Sequence, residues 1–346
     1  MVNERCFVIA EAGVNHNGSL DLALKLVDVA ADAGADAVKF QTFAAEALVG
    51  EGVGKAAYQQ HNSTGNDQRA MLKALELGHA EHERLQVQCA ARGIEFMSTP
   101  FDDAALDFLV GLGVRRLKVA SGELTNRPFL ERIATTGLPM IVSTGMGTLD
   151  EVAAAVGWMG AARGKPSSQS GQGPWLTLLH CTSNYPADCA DVNLLAMVTM
   201  RERFQLPVGY SDHTAGVVIA PAAAALGAIV IEKHFTLDRG LPGPDHAASL
   251  EVDELRAMIR AIRDVEAARG DGVKAPRDSE LPVRSLVRRS VAVRRALPAG
   301  QVLRRDDLTT MRPESGIAPA NIDTLPGRRL KHALAAGSVV RDSDLE

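Results

Sequence analysis

Two lysines and a group of hydroxyl residues stand in the last positions of short apolar runs, a combination suited to an anionic ligand. The residues in question are Lys39, Thr99, Lys118, Ser121, Ser143 and Ser211. Two cations with four hydroxyls could hold a phosphate and a carboxylate together. Buried without a partner, each polar group would cost about 1–3 kcal/mol, so a ligand explains their concentration better than packing does. For either lysine alone, an apolar stem with a solvated head is the simpler interpretation.

Two histidines, His213 and His234, close the last two apolar runs of this kind. At neighbouring strand ends they could bind one divalent ion and leave coordination positions for substrate and water. Neutral nitrogen ligands with carboxylates nearby favour Mn²⁺ or Mg²⁺ as a Lewis acid, with zinc as an open alternative. A single histidine would more often be a buried structural residue, so the hypothesis depends on the pair.

Three carboxylates, Glu11, Glu123 and Asp245, fall at the same ends of the runs. They could accept hydroxyl hydrogens from a polyol and take part in proton transfer, although each alone could equally form a structural ion pair. A second chemistry is open: Lys118 or Lys233 could form a Schiff base, as in an aldolase. That alternative leaves the histidine pair and the hydroxyls unexplained.

Eight apolar runs would position these side chains, and amphipathic segments separate them. The runs are Cys6–Gly13, Asp36–Phe43, Ile94–Phe101, Arg116–Glu123, Pro139–Gly145, Leu176–Ser183, Pro207–Asp212 and Ile229–Thr236. Nearly continuous apolar character is typical of strands covered on both faces. Ser19 is a candidate N-cap for the first helix, and the last helix is expected around Asp253–Arg269.

The count and spacing of these elements predict an α/β fold, a (β/α)8 TIM barrel with its active site at the carboxyl ends of the strands. A doubly wound sheet is the alternative. It would need a glycine-rich turn after the first strand, and residues 12–18 do not match GxGxxG. The connection over residues 44–78, with the polar run 59–68, is longer than a strand-to-helix link requires, so it is expected to shape or cover the active site.

Composition limits the function classes. The chain has 346 residues, of which 46% are hydrophobic and 23% charged, which excludes disorder as its main state. No run approaches about 20 apolar residues and no secretory segment begins the sequence, so neither a membrane span nor export is expected. Four cysteines without a CxxC pair fit a reducing cytoplasm. A net charge of −5 argues against nucleic acid as the main partner.

A smaller module follows the barrel region. The predicted organisation is a barrel domain over residues 1–270, a linker over 271–286 and a small, mostly β domain over 287–346. Residues 281–346 hold twelve Lys/Arg and seven Asp/Glu, a charge of +5, which leaves −10 for residues 1–280. About 60 residues form a small core, so this module is expected to dock on another surface.

The motifs, taken in order, resemble the sialic acid synthase family, which includes bacterial N-acetylneuraminate and N,N'-diacetyllegionaminate synthases. The matching stretches are AEAGVNHNG (10–18), KFQTF (39–43), STPFD (98–102), KVASGELTN (118–126), STGMGTLDE (143–151), LLHCTSNYPA (178–187), GYSDHTAG (209–216) and IEKHFTLDRGLPGPDHAASLE (231–251). RRSVAV (288–293), LPAGQVLRRDDL (297–308) and MRP (311–313) resemble the antifreeze-like (SAF) domain of that family.

The resemblance implies a transferase that condenses phosphoenolpyruvate with an unphosphorylated N-acetylmannosamine-type aldose and water, giving a nonulosonic acid and phosphate. It implies a divalent metal on His213 and His234, which with Glu11 and Glu123 are the catalytic residues. Phosphoenolpyruvate would be held by Lys39, Thr99, Lys118, Ser121, Ser143, Ser183 and Ser211. The sugar would be held by Glu11, Gln41, Glu123, Tyr185, Asp245 and Arg312.

The resemblance also implies a domain-swapped homodimer in which Arg312 reaches the sugar of the partner. N-acetylneuraminate synthase is slightly preferred, and N,N'-diacetyllegionaminate synthase is the alternative. An apolar Phe40 near the sugar would be compatible with a deoxy substrate. A third hypothesis, a carbohydrate-binding protein that uses only the C-terminal module, predicts no metal in the barrel.

Overall fold

The computed structural model describes residues 5–51, 53–55, 67–164 and 174–346. The contacts divide the chain into two compact units, Met1–Asp271 and Gly272–Glu346. Gly52 and residues 56–66, which belong to the predicted excursion and its polar run, lie outside the described residues. The predicted linker 271–286 falls in the second unit, where it contains a short 3-10 helix, Asp278–Glu280, and the start of a helix at Leu281.

The first unit contains eight parallel strands. They are β1 (Phe7–Gly13), β2 (Ala37–Thr42), β3 (Glu95–Pro100), β4 (Leu117–Val119), β5 (Met140–Ser143), β6 (Leu176–Cys181), β7 (Val208–Asp212) and β8 (Val230–His234). The hydrogen-bonded order is β3-β2-β1-β8-β7-β6-β5-β4, and β3 and β4 stand side by side to complete the ring. The predicted (β/α)8 barrel is confirmed, and each strand lies inside the apolar run that predicted it.

The interior of the barrel is built in layers, because side chains alternate between the two faces of a strand. One apolar layer fills the ring with Ile9, Ala37, Met97, Ile141, Leu179 and Val230. Two residues further along the same six strands, the interior positions are Glu11, Lys39, Thr99, Ser143, Cys181 and Glu232. The apolar layer therefore closes the barrel beneath a polar one.

Helices surround the barrel and bury the outer faces of the strands. They are α1 (Leu20–Asp32), α2 (Ala45–Leu48), α3 (Gln68–Lys73), α4 (His79–Arg92), α5 (Asp103–Leu112), α6 (Arg127–Thr135), α7 (Leu149–Arg163), α8 (Leu195–Phe204), α9 (Ile219–Ala225) and α10 (Val252–Arg269). Ser19 caps α1 by accepting a hydrogen bond from the Leu22 amide, as predicted. On α10, Leu255, Met258 and Ile262 are buried against the barrel.

The second unit contains α11 (Leu281–Val287) and an antiparallel pair, β9 (Ser290–Val293) and β10 (Leu308–Met311). Its own core includes Val291, Leu308 and Leu330. Turns and isolated bridges make up most of the rest, consistent with the predicted small β module. Within the residues that the structure describes, no helix is both long enough and apolar enough to cross a membrane.

Candidate active site

A cavity of about 410 Å³ opens at the carboxyl ends of the barrel strands. It brings together thirteen of the residues that the sequence nominated on the barrel: Glu11, Lys39, Gln41, Thr99, Lys118, Ser121, Ser143, Ser183, Tyr185, Ser211, His213, His234 and Asp245. Residues from eight different strand ends and their following loops thus meet in one place, as expected for an active site of this fold.

Lys39 lies at the bottom of the cavity between two strands that supply its partners. Its ammonium is 2.8 Å from Glu11 Oε2 and donates to Thr99 Oγ1 at 3.0 Å. Burial raises the pKa of Glu11 to about 7 even though the charge of Lys39 opposes that change. Burial by itself would lower the pKa of Lys39. The negative charges of Glu11 and Glu232 outweigh this effect and hold the pKa of Lys39 above its ordinary value. Lys39 is therefore a fixed cation, and Glu11 can exchange a proton near neutral pH.

Lys118 forms a second cation on β4, which β3 separates from the strand of Lys39. It donates to Ser143 Oγ at 2.7 Å and to its neighbouring backbone carbonyl at Val119, at 3.0 Å. Burial lowers its pKa, and the carboxylate of Glu232, at 3.6 Å, offsets only part of that effect. The neutral hydroxyl partner leaves the Lys118 charge incompletely balanced, so the position favours an anionic ligand.

Glu232 is the site residue that the sequence analysis missed. Its carboxylate stands between the two lysines, with Oε2 at 3.8 Å from Lys39 and Oε1 accepting from Ser211 at 3.0 Å. Burial alone would raise its pKa, but Lys118 and Lys39 together hold it below the usual value. The sequence could have identified Glu232, because side chains alternate between the two faces of a strand and Glu232 lies two residues before His234, on the same face.

The hydroxyls of Ser121 and Ser183 crowd around the turn after β5. The Gly145 amide donates to Ser121 Oγ at 3.0 Å. A Cβ at Gly145 would lie 2.2 Å from Ser183 Oγ and 2.8 Å from Cys181 Sγ, so only glycine allows the two serines this close to the backbone. The hydroxyls of Ser121 and Ser183 therefore lie together against this turn, in the wall of the cavity.

The two histidines are placed so that both could bind one metal ion. Their ring centroids are 5.5 Å apart, and burial lowers the pKa of both, most strongly for His234, which keeps them neutral. His213 donates Nδ1–H to the Thr182 carbonyl at 2.7 Å, which leaves Nε2 as the free lone pair. In the described residues, the buried Nδ1 of His234 has no hydrogen-bond partner. The described part of the chain holds no cluster of three or more His, Cys, Asp or Glu arranged for a metal.

Asp245 completes the histidine side of the cavity. Its Oδ2 lies 3.8 Å from His234 Nδ1, and burial raises the pKa of the carboxyl to about 6 although Lys39 opposes this. The loop that carries it is fastened at both ends. Ser249 donates to the Asp245 carbonyl at 2.6 Å, and the His246 ring lies within hydrogen-bond distance of Thr236 Oγ1, at 2.7 Å. These two contacts hold the loop, and with it the Asp245 carboxylate, in the cavity.

Four nominated residues lie elsewhere. Glu123 follows β4 but is not among the residues lining the cavity, and its carboxylate accepts from Asn126 at 2.6 Å. Lys233 points out of the ring and pairs with Asp212 at 2.8 Å, so a Schiff base at Lys233 has no support. Phe40 also lies on the outer face of β2, fully buried beside Phe96, and the expectation that it approaches the sugar is wrong. Arg312 is an exposed residue of the second unit.

An apolar surface on one side of the cavity was also missed. We call it the apolar wall, and it consists of Val14, Met71, Leu72 and Phe101. These residues belong to a small cluster built on Phe43 and Leu75, which is separate from the main core. No sequence pattern predicted it, because its members come from three different strand-to-helix connections that meet only in the folded chain.

Two protein-family models match most of the chain. The model of the NeuB family matches residues 26–274, and that of the SAF domain matches residues 288–346. The chain is 52% identical over 336 residues to the N,N'-diacetyllegionaminic acid synthase of Legionella pneumophila, covering 97% of this chain and 93% of that protein. It is 43% identical to the protein of the same name from Campylobacter jejuni, covering 94% and 96%.

Among solved structures, the chain is similar to the N-acetylneuraminic acid (sialic acid) synthetase from Leptospira borgpetersenii in complex with citrate. The TM-score is 0.71 at 36% sequence identity, covering 81% of this chain and 90% of that one.

Proposed function

This chain belongs to the NeuB family and carries a C-terminal SAF domain, and we propose that it condenses phosphoenolpyruvate with an N-acetylmannosamine-type aldose to give a nonulosonic acid and phosphate. It is a transferase that forms a carbon–carbon bond. One observation carries the proposal: two almost fully buried lysines, Lys39 and Lys118, share one polar layer with the hydroxyls of Thr99, Ser143 and Ser211. A small dianion with a phosphate and a carboxylate matches that arrangement.

Phosphoenolpyruvate is proposed to lie deep in the cavity between Lys39 and Lys118. Thr99 and Ser143 each accept from one of these lysines and can turn their own hydroxyl hydrogens to the ligand. Ser121, Ser183 and Ser211 complete the donor set. The fixed cations stabilise the negative charge of the ligand and of the departing phosphate without reorganising.

A divalent cation, Mn²⁺ or Mg²⁺, is proposed to bind the Nε2 atom of His213 and the unpartnered Nδ1 atom of His234. When bound, it supplies a Lewis acid for the carbonyl oxygen of the aldose. The two neutral imidazoles suit this role because burial prevents their protonation. The Thr182 carbonyl fixes the tautomer of His213, and Tyr185 packs on the same ring with centroids 4.1 Å apart.

The bonds change in a defined order. The C3 carbon of phosphoenolpyruvate forms a bond to C1 of the aldose, whose oxygen takes a proton and becomes a hydroxyl. Water adds to C2, and the bond between C2 and the phosphate oxygen breaks to release phosphate. We assign the proton exchanges to Glu11, whose pKa of about 7 lets it hold or give up a proton near neutral pH. Glu123 remains a proposed sugar contact only if the region after β4 moves inward.

We propose 2,4-diacetamido-2,4,6-trideoxymannose as the preferred acceptor. The relatives at 52% and 43% identity are both N,N'-diacetyllegionaminic acid synthases, and this outweighs the slight preference that the sequence alone gave to N-acetylmannosamine. N-acetylmannosamine remains the second candidate, supported by the similarity to the Leptospira synthetase. Gln41, Tyr185 and Asp245 are the proposed polar contacts of the sugar.

We further propose a homodimer in which Arg312 of one protomer contacts the sugar bound by the other. Helix α11 supports this, because Leu281, Val283 and Leu286 are 45%, 57% and 67% exposed. Apolar side chains exposed together usually mark an interface. A cytoplasmic location is proposed as well, since all four cysteines are free thiols.

The test is phosphate release from phosphoenolpyruvate with Mn²⁺, using the two acceptors separately, each with and without EDTA. Release that depends on the acceptor and is abolished by EDTA supports the proposal, and the ratio of kcat/KM values assigns the acceptor. Release unaffected by EDTA contradicts the metal. Covalent trapping of pyruvate on Lys118 by borohydride would favour Schiff-base chemistry instead.

A further inference from the structure

The cavity has two sides of different chemistry. Its floor consists of charged groups that are almost fully buried, with Lys39 and Lys118 exposed by only 3% and 2%. The apolar wall stands beside this floor, and its members Met71, Leu72 and Phe101 are only half-buried. Half-buried apolar side chains that face a cavity leave apolar surface available to whatever fills it.

The wall begins next to His234. Val14 directly follows Gly13, and a Cβ at Gly13 would lie 3.6 Å from His234 Cε1 and 3.5 Å from Gln41 Nε2. From there the wall extends over β1, β2 and β3 through Leu72 and Phe101. It therefore borders the side of the cavity lined by Gln41 and His234, the residues assigned to the sugar and to the metal.

These positions constrain how an aldose can lie, if the proposed function holds. Its C1 atom must face the floor, where phosphoenolpyruvate and the histidines meet. C6 is the carbon farthest along the chain from C1, so it points away from the floor. The polar side chains of Glu11, Gln41 and Asp245 are available for the oxygens and nitrogens nearer to C1.

We propose that the apolar wall contacts C6 of the acceptor and selects a methyl group there over a hydroxymethyl group. The inference rests on the proposed function and adds to it the residues that recognise a 6-deoxy sugar. A methyl group would displace water from Leu72 and Met71, whereas a hydroxyl group would lose its water without gaining a hydrogen bond from the wall. The expected preference for the 6-deoxy acceptor is about 10- to 100-fold in kcat/KM.

The experiment compares two acceptors that differ only at C6: 2,4-diacetamido-2,4,6-trideoxymannose and its 6-hydroxy counterpart. Leu72→Asn keeps the approximate size of the side chain and adds a hydrogen-bonding group to the wall. We expect it to lower the preference for the 6-deoxy acceptor about tenfold, mainly through the KM for that acceptor, and to leave the KM for phosphoenolpyruvate unchanged.

Leu48→Asn is the matched control. Leu48 packs on the same small cluster but does not line the cavity, so the substitution should disturb the cluster without changing the preference. A wild-type enzyme that uses both acceptors equally well overturns the inference, and so does an equal change of preference in the two variants.

The results distinguish a failure of the proposed function from a failure of the proposed role of the apolar wall. Absence of phosphate release with every aldose would overturn the proposed function. Release with both acceptors at equal kcat/KM would overturn only the role of the wall. Should neither variant fold, the wild-type preference between the two acceptors decides the question by itself.

Discussion

The two ends of the barrel each hold a cavity, and the larger one is not the candidate active site. The cavity at the amino ends of the strands measures about 720 Å³, against about 410 Å³ at the carboxyl ends. At the amino end, Arg116 binds Glu95 through two contacts, at 2.8 and 3.1 Å, and Arg263 binds Asp36 at 2.7 Å. At the carboxyl end, by contrast, Lys118 has only hydroxyl and carbonyl partners within 3.0 Å.

This difference shows that cavity size is a poor guide to function in this molecule. The charges of Arg116 and Glu95, and those of Arg263 and Asp36, are satisfied by each other, so these pairs stabilise the fold and offer little to a ligand. The buried charges at the carboxyl end shift one another's pKa values, and in the described residues Glu232 Oε2 and His234 Nδ1 are buried without a hydrogen-bond partner, which is characteristic of a functional site. Substitutions at the two ends should therefore affect different properties.

The largest expected effect is at Lys118. Lys118→Met removes one of the two buried cations and should lower kcat/KM for phosphoenolpyruvate roughly 10³-fold, because the phosphate loses a fixed positive charge in a dry site. Folding should be retained, since an apolar side chain replaces a buried charge whose burial lowers its pKa. Steady-state phosphate release and thermal unfolding measure the two effects.

Arg116→Met at the amino end is the control for this comparison. Its partner Glu95 is 8% exposed in its side chain and Arg116 itself is 31% exposed, so solvent weakens the pair. We expect a loss of about 1 kcal/mol in the free energy of unfolding and no change in turnover. A substantial loss of activity in Arg116→Met would break the distinction between the two ends.

The next effect concerns Glu232. Glu232→Gln leaves Lys39 and Lys118 without the carboxylate that lies between them, so the free energy of unfolding should fall by roughly 3 kcal/mol. Phosphoenolpyruvate should raise the melting temperature of this variant more than that of the wild type, because the ligand replaces the missing anion. Equal stabilisation of both proteins by phosphoenolpyruvate would show that Glu232 does not share the site with the ligand.

The smallest of the three effects at the carboxyl end is a dependence of stability on pH at His16, which follows β1. Burial lowers the pKa of His16 to about 4, whereas the unfolded chain has the ordinary value of 6.5. Between these values the unfolded state binds more protons, so stability is lost as the pH falls from 6.5 towards 4. The expected loss between pH 7.5 and pH 5 is about 2 kcal/mol.

His16→Asn isolates this contribution. Glu11 and Asp245 have raised pKa values and act with the opposite sign, since their folded forms hold protons that are released as the pH rises. Urea unfolding gives the free energy of unfolding of wild type and variant at both pH values. The difference between the two proteins cancels the contributions of Glu11 and Asp245, which both share. An identical pH dependence in the two proteins would contradict the assigned pKa of His16.

Much of the site could be predicted because strand periodicity is a local property. Lys39, Thr99 and Ser143 each lie two residues beyond an interior apolar residue, so their shared layer follows from the pattern of each strand. Glu232 satisfies the same rule and could have been found. The expectation for Phe40 neglected this rule. Phe40 neighbours Lys39 in the sequence and therefore faces the opposite side of the sheet.

The sequence by itself determined the barrel, the cations of its floor and the histidine pair. Period-two alternation and apolar runs specify which face of a strand is interior, and the fold then gathers the strand ends. Only the tertiary structure decided that Glu232 lies between the two lysines, that Glu123 stands outside the cavity and that the apolar wall faces it. These positions depend on how separate strand-to-helix connections pack against one another. No local sequence pattern encodes the distance between two such connections.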